Sequence, residues 1–334
     1  MIHLRIVAPA DMAEKALELL FAERSVLNVV TLPGAARKPK GDVILCDITP
    51  EDASVIIGDL RELGIPAVGS IAIEKIDSEI SEAGKLAERH APGLPSDAVV
   101  WEDVEARTSE NVELSWNFIA FMVLAVLIAM AGIFLDSPIL IIGAMVVGPE
   151  FGPLAGLCVA LVHRRADTAL RSFKALLVGF PVAITGGFLM SLAIKELALA
   201  PDGFAPDTRE FTEFITHPDF FSFLVAFLAG MAGVLSLTSA KSGALVGVLI
   251  SVTTIPAAAN IGLACAYADW SEWRGAMGQL SVNLGMIVVA GVGTLYVQRR
   301  LYIRRRIRHL SDPERERAGL PLGRSLRSGG RAEP

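Results

Sequence analysis

Cysteine is scarce in this chain. Its 334 residues hold three, Cys46, Cys158 and Cys265. An odd number, two of them inside apolar runs, excludes a disulfide framework, and all three read as small buried hydrophobes. No group of His, Cys or carboxylate residues has metal-ligand spacing, and no phosphate loop or nucleophile motif is present. These absences argue against an enzyme, a resident metal and a cofactor. No secretory signal opens the sequence, because Met1–Ile6 runs straight into an alternating strand pattern. The front of the protein is therefore expected in the cytoplasm.

Charge is missing too, but only in places. Hydrophobic residues make up 52% of the chain. Residues 1–111 carry an ordinary soluble mix, whereas long uncharged apolar runs dominate from about 114 to 299. Runs of roughly 18 or more such residues suit a hydrocarbon core about 30 Å thick. The partner implied is the lipid bilayer. The formal net charge of −6 says little about nucleic acid, and none is expected as a partner.

Residues 1–77 read as a soluble α+β domain. Ile2, Leu4 and Ile6 alternate with His3 and Arg5, the pattern of a half-buried strand. Asp11 and Glu14 have capping-box spacing ahead of a helix whose inward face would be Ala13, Leu17, Leu20 and Phe21. Val26–Leu32 and Val43–Ile48 read as strands joined by a hairpin rich in Gly, Pro and Lys. Thr49 caps a second helix with Pro50 at its first position and Gly64 past its end, and Ile56, Leu60 and Leu63 face inward. Val68–Ile76 is the last strand. The order strand, helix, strand, strand, helix, strand is ferredoxin-like, a fold that by itself assigns no function. Residues 78–111 form a helical linker, with an amphipathic helix over Ser78–His90 and a charged one over Val99–Asn111.

Residues 112–300 read as an α-helical polytopic membrane bundle of about six spans, near 114–135, 138–163, 171–194, 220–237, 243–266 and 279–299. The second and fifth are interrupted. Gly148, Pro149, Glu150, Gly152 and Pro153 break one, and Thr253, Thr254 and Pro256 the other. Basic residues set the orientation. Arg164, Arg165, Arg171, Lys174, Lys241 and the arginines from 299 to 308 fall on one side of such a bundle. Asp136, the acidic stretch 196–219 and the loop from Tyr267 to Arg274 fall on the other. The positive-inside rule then places both termini in the cytoplasm. Residues 301–334 read as a basic, largely disordered tail.

The halves of the bundle correspond. Ala129-Met-Ala-Gly132 is matched by Gly230-Met-Ala-Gly233, and each is followed by a proline-interrupted helix. With three spans in each half, the second half enters from the opposite face, which gives a 3+3 inverted repeat. Paired broken helices in such repeats point to a transporter's binding site, because a break bares N–H and C=O groups where no water can serve them. Simple proline kinks in a packed bundle are the alternative.

Glu150 is the most informative residue. A charge at the bilayer centre costs about 2.5–3.5 kcal/mol on insertion scales, so such a residue is a functional candidate by default. It could bind a cation, carry a coupling proton or bond the freed backbone. Gly148, Gly152 and Gly156, spaced by four, suit close helix packing or open the backbone to a permeant. Asn260 and Asn283 are polar groups inside spans, suited to interhelical hydrogen bonds or to the site. Thr253 and Thr254 offer hydroxyls to the second break or to an ion.

The stretch Leu135-Asp-Ser-Pro-Ile-Leu-Ile-Ile-Gly-Ala-Met-Val-Val-Gly-Pro149, followed by Gly152-Pro153, resembles the signature of the bacterial and archaeal membrane family called domain of unknown function 389. The resemblance covers most of residues 112–299 and implies a multi-pass protein of a prokaryotic cytoplasmic membrane. It supplies no catalytic residues and gives Glu150 no role, since many members carry an apolar residue there. The expectation is a transporter or channel for a small solute or ion. It would have a cytoplasmic regulatory or assembly domain and assemble as a homo-oligomer. The alternative is a membrane sensor or scaffold that transports nothing.

Overall fold

A computed structural model describes residues 1–76, 80–90, 99–110, 112–201, 219–238 and 254–310. The chain forms two compact units, one of Met1–Val104 with the chain from Gln298 on, the other of Glu105–Val297.

The first unit is built on strands β1 (Ile2–Ala8), β2 (Val26–Arg37), β3 (Lys40–Ile48) and β4 (Ser70–Lys75). They lie in the order β2-β3-β1-β4, every neighbouring pair antiparallel. Alternation places Ile2, Leu4 and Ile6 on one face with Ile44, Cys46 and Ile48, in the register Leu4↔Cys46 and Ile6↔Ile44. Helices α1 (Ala10–Ala22) and α2 (Pro50–Glu62) close this face with Ala13, Ala16, Leu19 and Leu20, and with Ala53, Ile56, Ile57 and Leu60. On the opposite face Asp47 joins two neighbouring strands. It bonds His3 Nδ1 at 2.7 Å and accepts from Asn28 Nδ2 at 2.7 Å.

Several local expectations shift. The helix starts at Ala10 with Pro9 as its cap, so Asp11 lies in the first turn and bonds no cap N–H. The buried stripe moves with that start. Ala16 and Leu19 turn inward, Leu17 is half-buried and Phe21 is 71% exposed. Thr49 does precede α2, but its buried hydroxyl has no partner among the described residues. Gly64 (φ +82°) ends α2 in the left-handed conformation that a Cβ disfavours. The turn feeds a short helix, α3 (Ile65–Val68), where a strand was expected to begin, and β4 starts only at Ser70. Leu63 is half-buried. Helix α4 (Glu82–His90) and the start of α5 (Trp101–Glu110) follow. Ser54 of α2 holds the chain before α5, donating to the Val99 carbonyl at 3.3 Å and accepting from the Trp101 N–H at 2.9 Å.

All three cysteines are free thiols. Burial, and to a lesser degree the neighbouring Asp47, pushes the Cys46 thiol from 9.0 to about 12. Below pH 9 the thiol is protonated in both folded and unfolded chains. Above it, the unfolded chain loses the proton first, so the raised value makes stability fall between pH 9 and 12 by about 1.4 kcal/mol per unit. Urea midpoints of the full chain at pH 8 and pH 10.5 check this, with Cys46→Ala expected to flatten the alkaline loss.

The second unit is a helical bundle: α6 (Trp116–Phe134), α7 (Pro138–Val147), α8 (Phe151–His163), α9 (Ala166–Glu196), α10 (Phe220–Thr238), α11 (Thr254–Tyr267) and, up to Val297, α12 (Trp270–Leu310). Ser115 caps α6, its Oγ accepting from the Phe118 N–H at 3.1 Å. Four helices, α6, α9, α10 and α12, are long and apolar enough to cross a membrane, and the bent pair α7–α8 makes a fifth if counted as one span. The chain is thus a multi-pass membrane protein. Of the interval 243–266 only the part from Thr254 lies within the described residues, and α11 is a shorter apolar helix. Lys241 and most of the acidic stretch 196–219 lie outside them, as do residues 311–334.

Small residues set the helix crossings, as expected where lipid removes the hydrophobic force between helices. A Cβ on Gly230 would stand 2.8 Å from the Ile287 main chain, and one on Gly132 would stand 2.8 Å from the Ile141 side chain. Helices α8 and α11 end alike. Arg164 (φ +57°) and Ala268 (φ +59°) are left-handed. The next residues donate back to Ala160 and Ala264, each at 2.9 Å, in the Schellman pattern. The expected loop from Tyr267 to Arg274 therefore shrinks to Ala268–Asp269. The Asp269 Oδ1 accepts from the Ser271 and Glu272 N–H groups at 3.1 Å and starts α12 there.

Candidate functional site

The first break follows from covalent chemistry. Pro149 has no N–H for the Met145 carbonyl and pushes Gly148 to an extended conformation (φ −62°, ψ 126°). Glu150 returns to helical angles and caps α8, whose third residue, Pro153, occupies a turn where the missing N–H has no helical partner anyway. The chain bends by 51° between α7 and α8. Buried side chains pack around both pieces, including Ile141, Met145 and Leu154.

That bend delivers Glu150 to the start of α11. Glu150 is 5% exposed and Thr254 1%. The Thr254 hydroxyl donates to Glu150 Oε1 at 2.7 Å across 104 residues of sequence. The other carboxylate oxygen, Oε2, is buried and has no hydrogen-bond partner among the described residues. Gly148 lies beside it. A Cβ there would collide with Oε2 and stand 2.8 Å from Ile255 Cγ1. Pro256 is buried in the same first turn of α11.

Of the residues singled out from the sequence, Gly148, Glu150 and Thr254 come together, flanked by Pro149, Pro153 and Pro256. Gly152 is half-buried in the first turn of α8, and Thr253 lies outside the described residues. Gly156 packs elsewhere, with the space of its missing Cβ taken by Val112 and by Ser172 Oγ, 3.0 Å away. Asn260 and Asn283 each have a bond away from this cluster. Asn260 Nδ2 donates to Glu272 Oε2 at 3.0 Å, and Asn283 Oδ1 accepts from Gln279 Nε2 at 3.4 Å.

Other polar contacts escaped the sequence analysis. Arg165 Nε bonds Glu105 Oε1 at 2.7 Å, and His163 Nδ1 stands 3.4 Å from the same oxygen, so the charged linker helix pairs with the end of α8. Lys195 Nζ donates to the Ala266 carbonyl at 2.9 Å and lies 5.1 Å above the Tyr267 ring centroid, which serves the end of α11. A lysine in the last turn of a span was the available signal for the second contact. Sequence separation hid the first.

Comparison with known proteins finds a family and a relative whose descriptions name no activity. Residues 145–289, which contain both Glu150 and Thr254, match the family described as "Domain of unknown function (DUF389)". An uncharacterized protein of Methanocaldococcus jannaschii is 26% identical over 246 residues, covering 72% of this chain and 73% of that protein. No solved structure matches.

Proposed function

We propose, for a chain whose residues 145–289 match the DUF389 family, that the membrane unit is a transporter or channel for a small solute or ion. The observation that supports this is the bond from Thr254 Oγ1, in the first turn of α11, to Glu150 Oε1 in the α7–α8 break, at 2.7 Å. A bilayer tolerates broken main chain only where protein or a wet cavity serves it. A break joined through a carboxylate to the first turn of a second helix makes a natural place for a permeant.

The likeness of the halves supports a 3+3 inverted repeat of about six spans. Helices α8 and α11 each carry proline at their third residue and each lead into a long helix. The sheet order β2-β3-β1-β4 with α1 and α2 on one face supports a ferredoxin-like front domain. In this proposal that domain regulates or assembles the bundle. Both termini are cytoplasmic, in a bacterial or archaeal membrane, and the bundle works as a homo-oligomer.

Accessibility tests the proposal. With the native cysteines replaced, Pro149→Cys and Gly152→Cys, both at half-buried positions, are expected to react with a membrane-impermeant thiol reagent from at least one face. A flux screen in proteoliposomes across small ions and metabolites is expected to find a permeant. Both positions sealed from both faces, with no flux, would leave only a membrane-anchored sensor or scaffold.

A further inference from the structure

We infer that the α7–α8 break is a binding site for a monovalent alkali cation of the Na⁺ type. Its ligands would be Glu150 Oε2, the Thr254 hydroxyl oxygen and main-chain carbonyls at the end of α7. This rests on the transport proposal and names the class of ion.

The sign of the charge comes first. Glu150 is 5% exposed, and no Lys, Arg or His of the described residues forms an ion pair with it. A buried carboxylate without a counter-charge is costly, and a bound cation supplies that charge. An anionic solute would meet Glu150 as a like charge. The Thr254 hydroxyl and the N-terminal end of α8 offer the carboxylate only partial charge.

The donor set comes next. Oε2 is buried without a partner. Thr254 spends its proton on Oε1 at 2.7 Å and keeps its lone pairs for a ligand. Pro149 cannot donate to the Met145 carbonyl, which lies at the negative end of the α7 dipole. Every one of these donors is a hard oxygen, the kind that alkali and alkaline-earth ions prefer, whereas softer metals take imidazole or thiolate. Among the described residues no group of three or more His, Cys, Asp or Glu could hold a metal ion. A single carboxylate balances one positive charge. A divalent ion would need a second carboxylate. Gly148 packs directly against Oε2, so any side chain there would displace the carboxylate.

The test uses the full-length protein in detergent, titrated with NaCl, KCl and CaCl₂ against choline chloride at equal ionic strength, and read by thermal unfolding and by calorimetry. The expected result is a saturable rise in Tm with Na⁺ or K⁺ over choline. Glu150→Gln should abolish it, and Thr254→Val should weaken the apparent Kd about tenfold. Thr254→Val also reads the site if Glu150→Gln does not fold. The inference is overturned if alkali ions act no differently from choline, if Ca²⁺ binds more tightly than Na⁺, or if Glu150→Gln keeps the parental response. Solute flux without a Glu150-dependent cation response would remove this site and leave the transport proposal. A Glu150-dependent response without flux of any solute would do the reverse.

Discussion

Gly262→Leu is expected to lose the folded membrane unit at temperatures where the parent protein survives. Gly262 lies where α11 crosses α9. A Cβ there would stand 2.8 Å from the Ile184 carbonyl oxygen, 2.8 Å from the Phe188 nitrogen and 3.1 Å from the Gly187 carbonyl carbon. These are main-chain atoms, which cannot swing aside as a side chain can, so the two helices must part. Overpacking in a core costs typically 1–3 kcal/mol, sometimes more, and leucine at a backbone contact belongs at or above about 3 kcal/mol. Parting the helices also strips cover from Ile261 and Leu263, at 3% and 0% exposure. It would carry Thr254 away from Glu150 as well. Thermal unfolding followed by tryptophan fluorescence, with size-exclusion profiles, measures the loss. Gly262→Ala should fall between the two, and a parental Tm for Gly262→Leu would show that α9 and α11 do not meet through these atoms.

The second large effect belongs to the soluble unit. Leu4 is 0% exposed on β1, opposite Cys46 of β3 and Ile73 of β4. Leu4→Ala removes a buried side chain from the middle strand of the sheet, where neighbours on both sides limit collapse into the cavity. The expected cost is about 2–5 kcal/mol, against a total stability of about 5–15 kcal/mol for an ordinary domain. Hydrogen exchange on the full chain reads it directly. Protection of the β1, β3 and β4 amides should fall by a factor of about 30 to about 5,000, as that range of free energy requires. Arg5→Ala, next along the strand but on the exposed side, should change protection little. Equal protection in Leu4→Ala and the parent would contradict the burial.

What the sequence made legible was what short-range chemistry decides. Alternation placed β1, and the glycine after α2 marked that helix's end. Two prolines four apart announced the interruption around Glu150. The misplacements came where several local solutions compete. The face of α1 depended on the residue that starts the helix, and a shift of that start turned Phe21 outward. Residues 65–76 carry both a proline suited to a helix start and a β-branched run, so the boundary between α3 and β4 was not set locally. Partners distant in sequence were the least legible. Nothing near Glu150 names Thr254, and nothing near Glu105 names Arg165, because those contacts depend on how helices pack. Asn260 and Asn283 show the same limit from the other side. Their burial was foreseeable, but their bonds to Glu272 and Gln279 were not.

The break also divides the bundle in depth. Helix α7 has 10 residues and α8 has 13, so the arms on either side of Glu150 reach about 15 Å and 20 Å at 1.5 Å per residue. Neither arm crosses a hydrocarbon core of about 30 Å by itself; counted as one span, the pair would put the carboxylate near halfway. A single charge travelling from either surface to Glu150 therefore falls through roughly half of the membrane voltage, about 1.2 kcal/mol for every 100 mV. Occupancy of the proposed cation site would in that arrangement be electrically tunable.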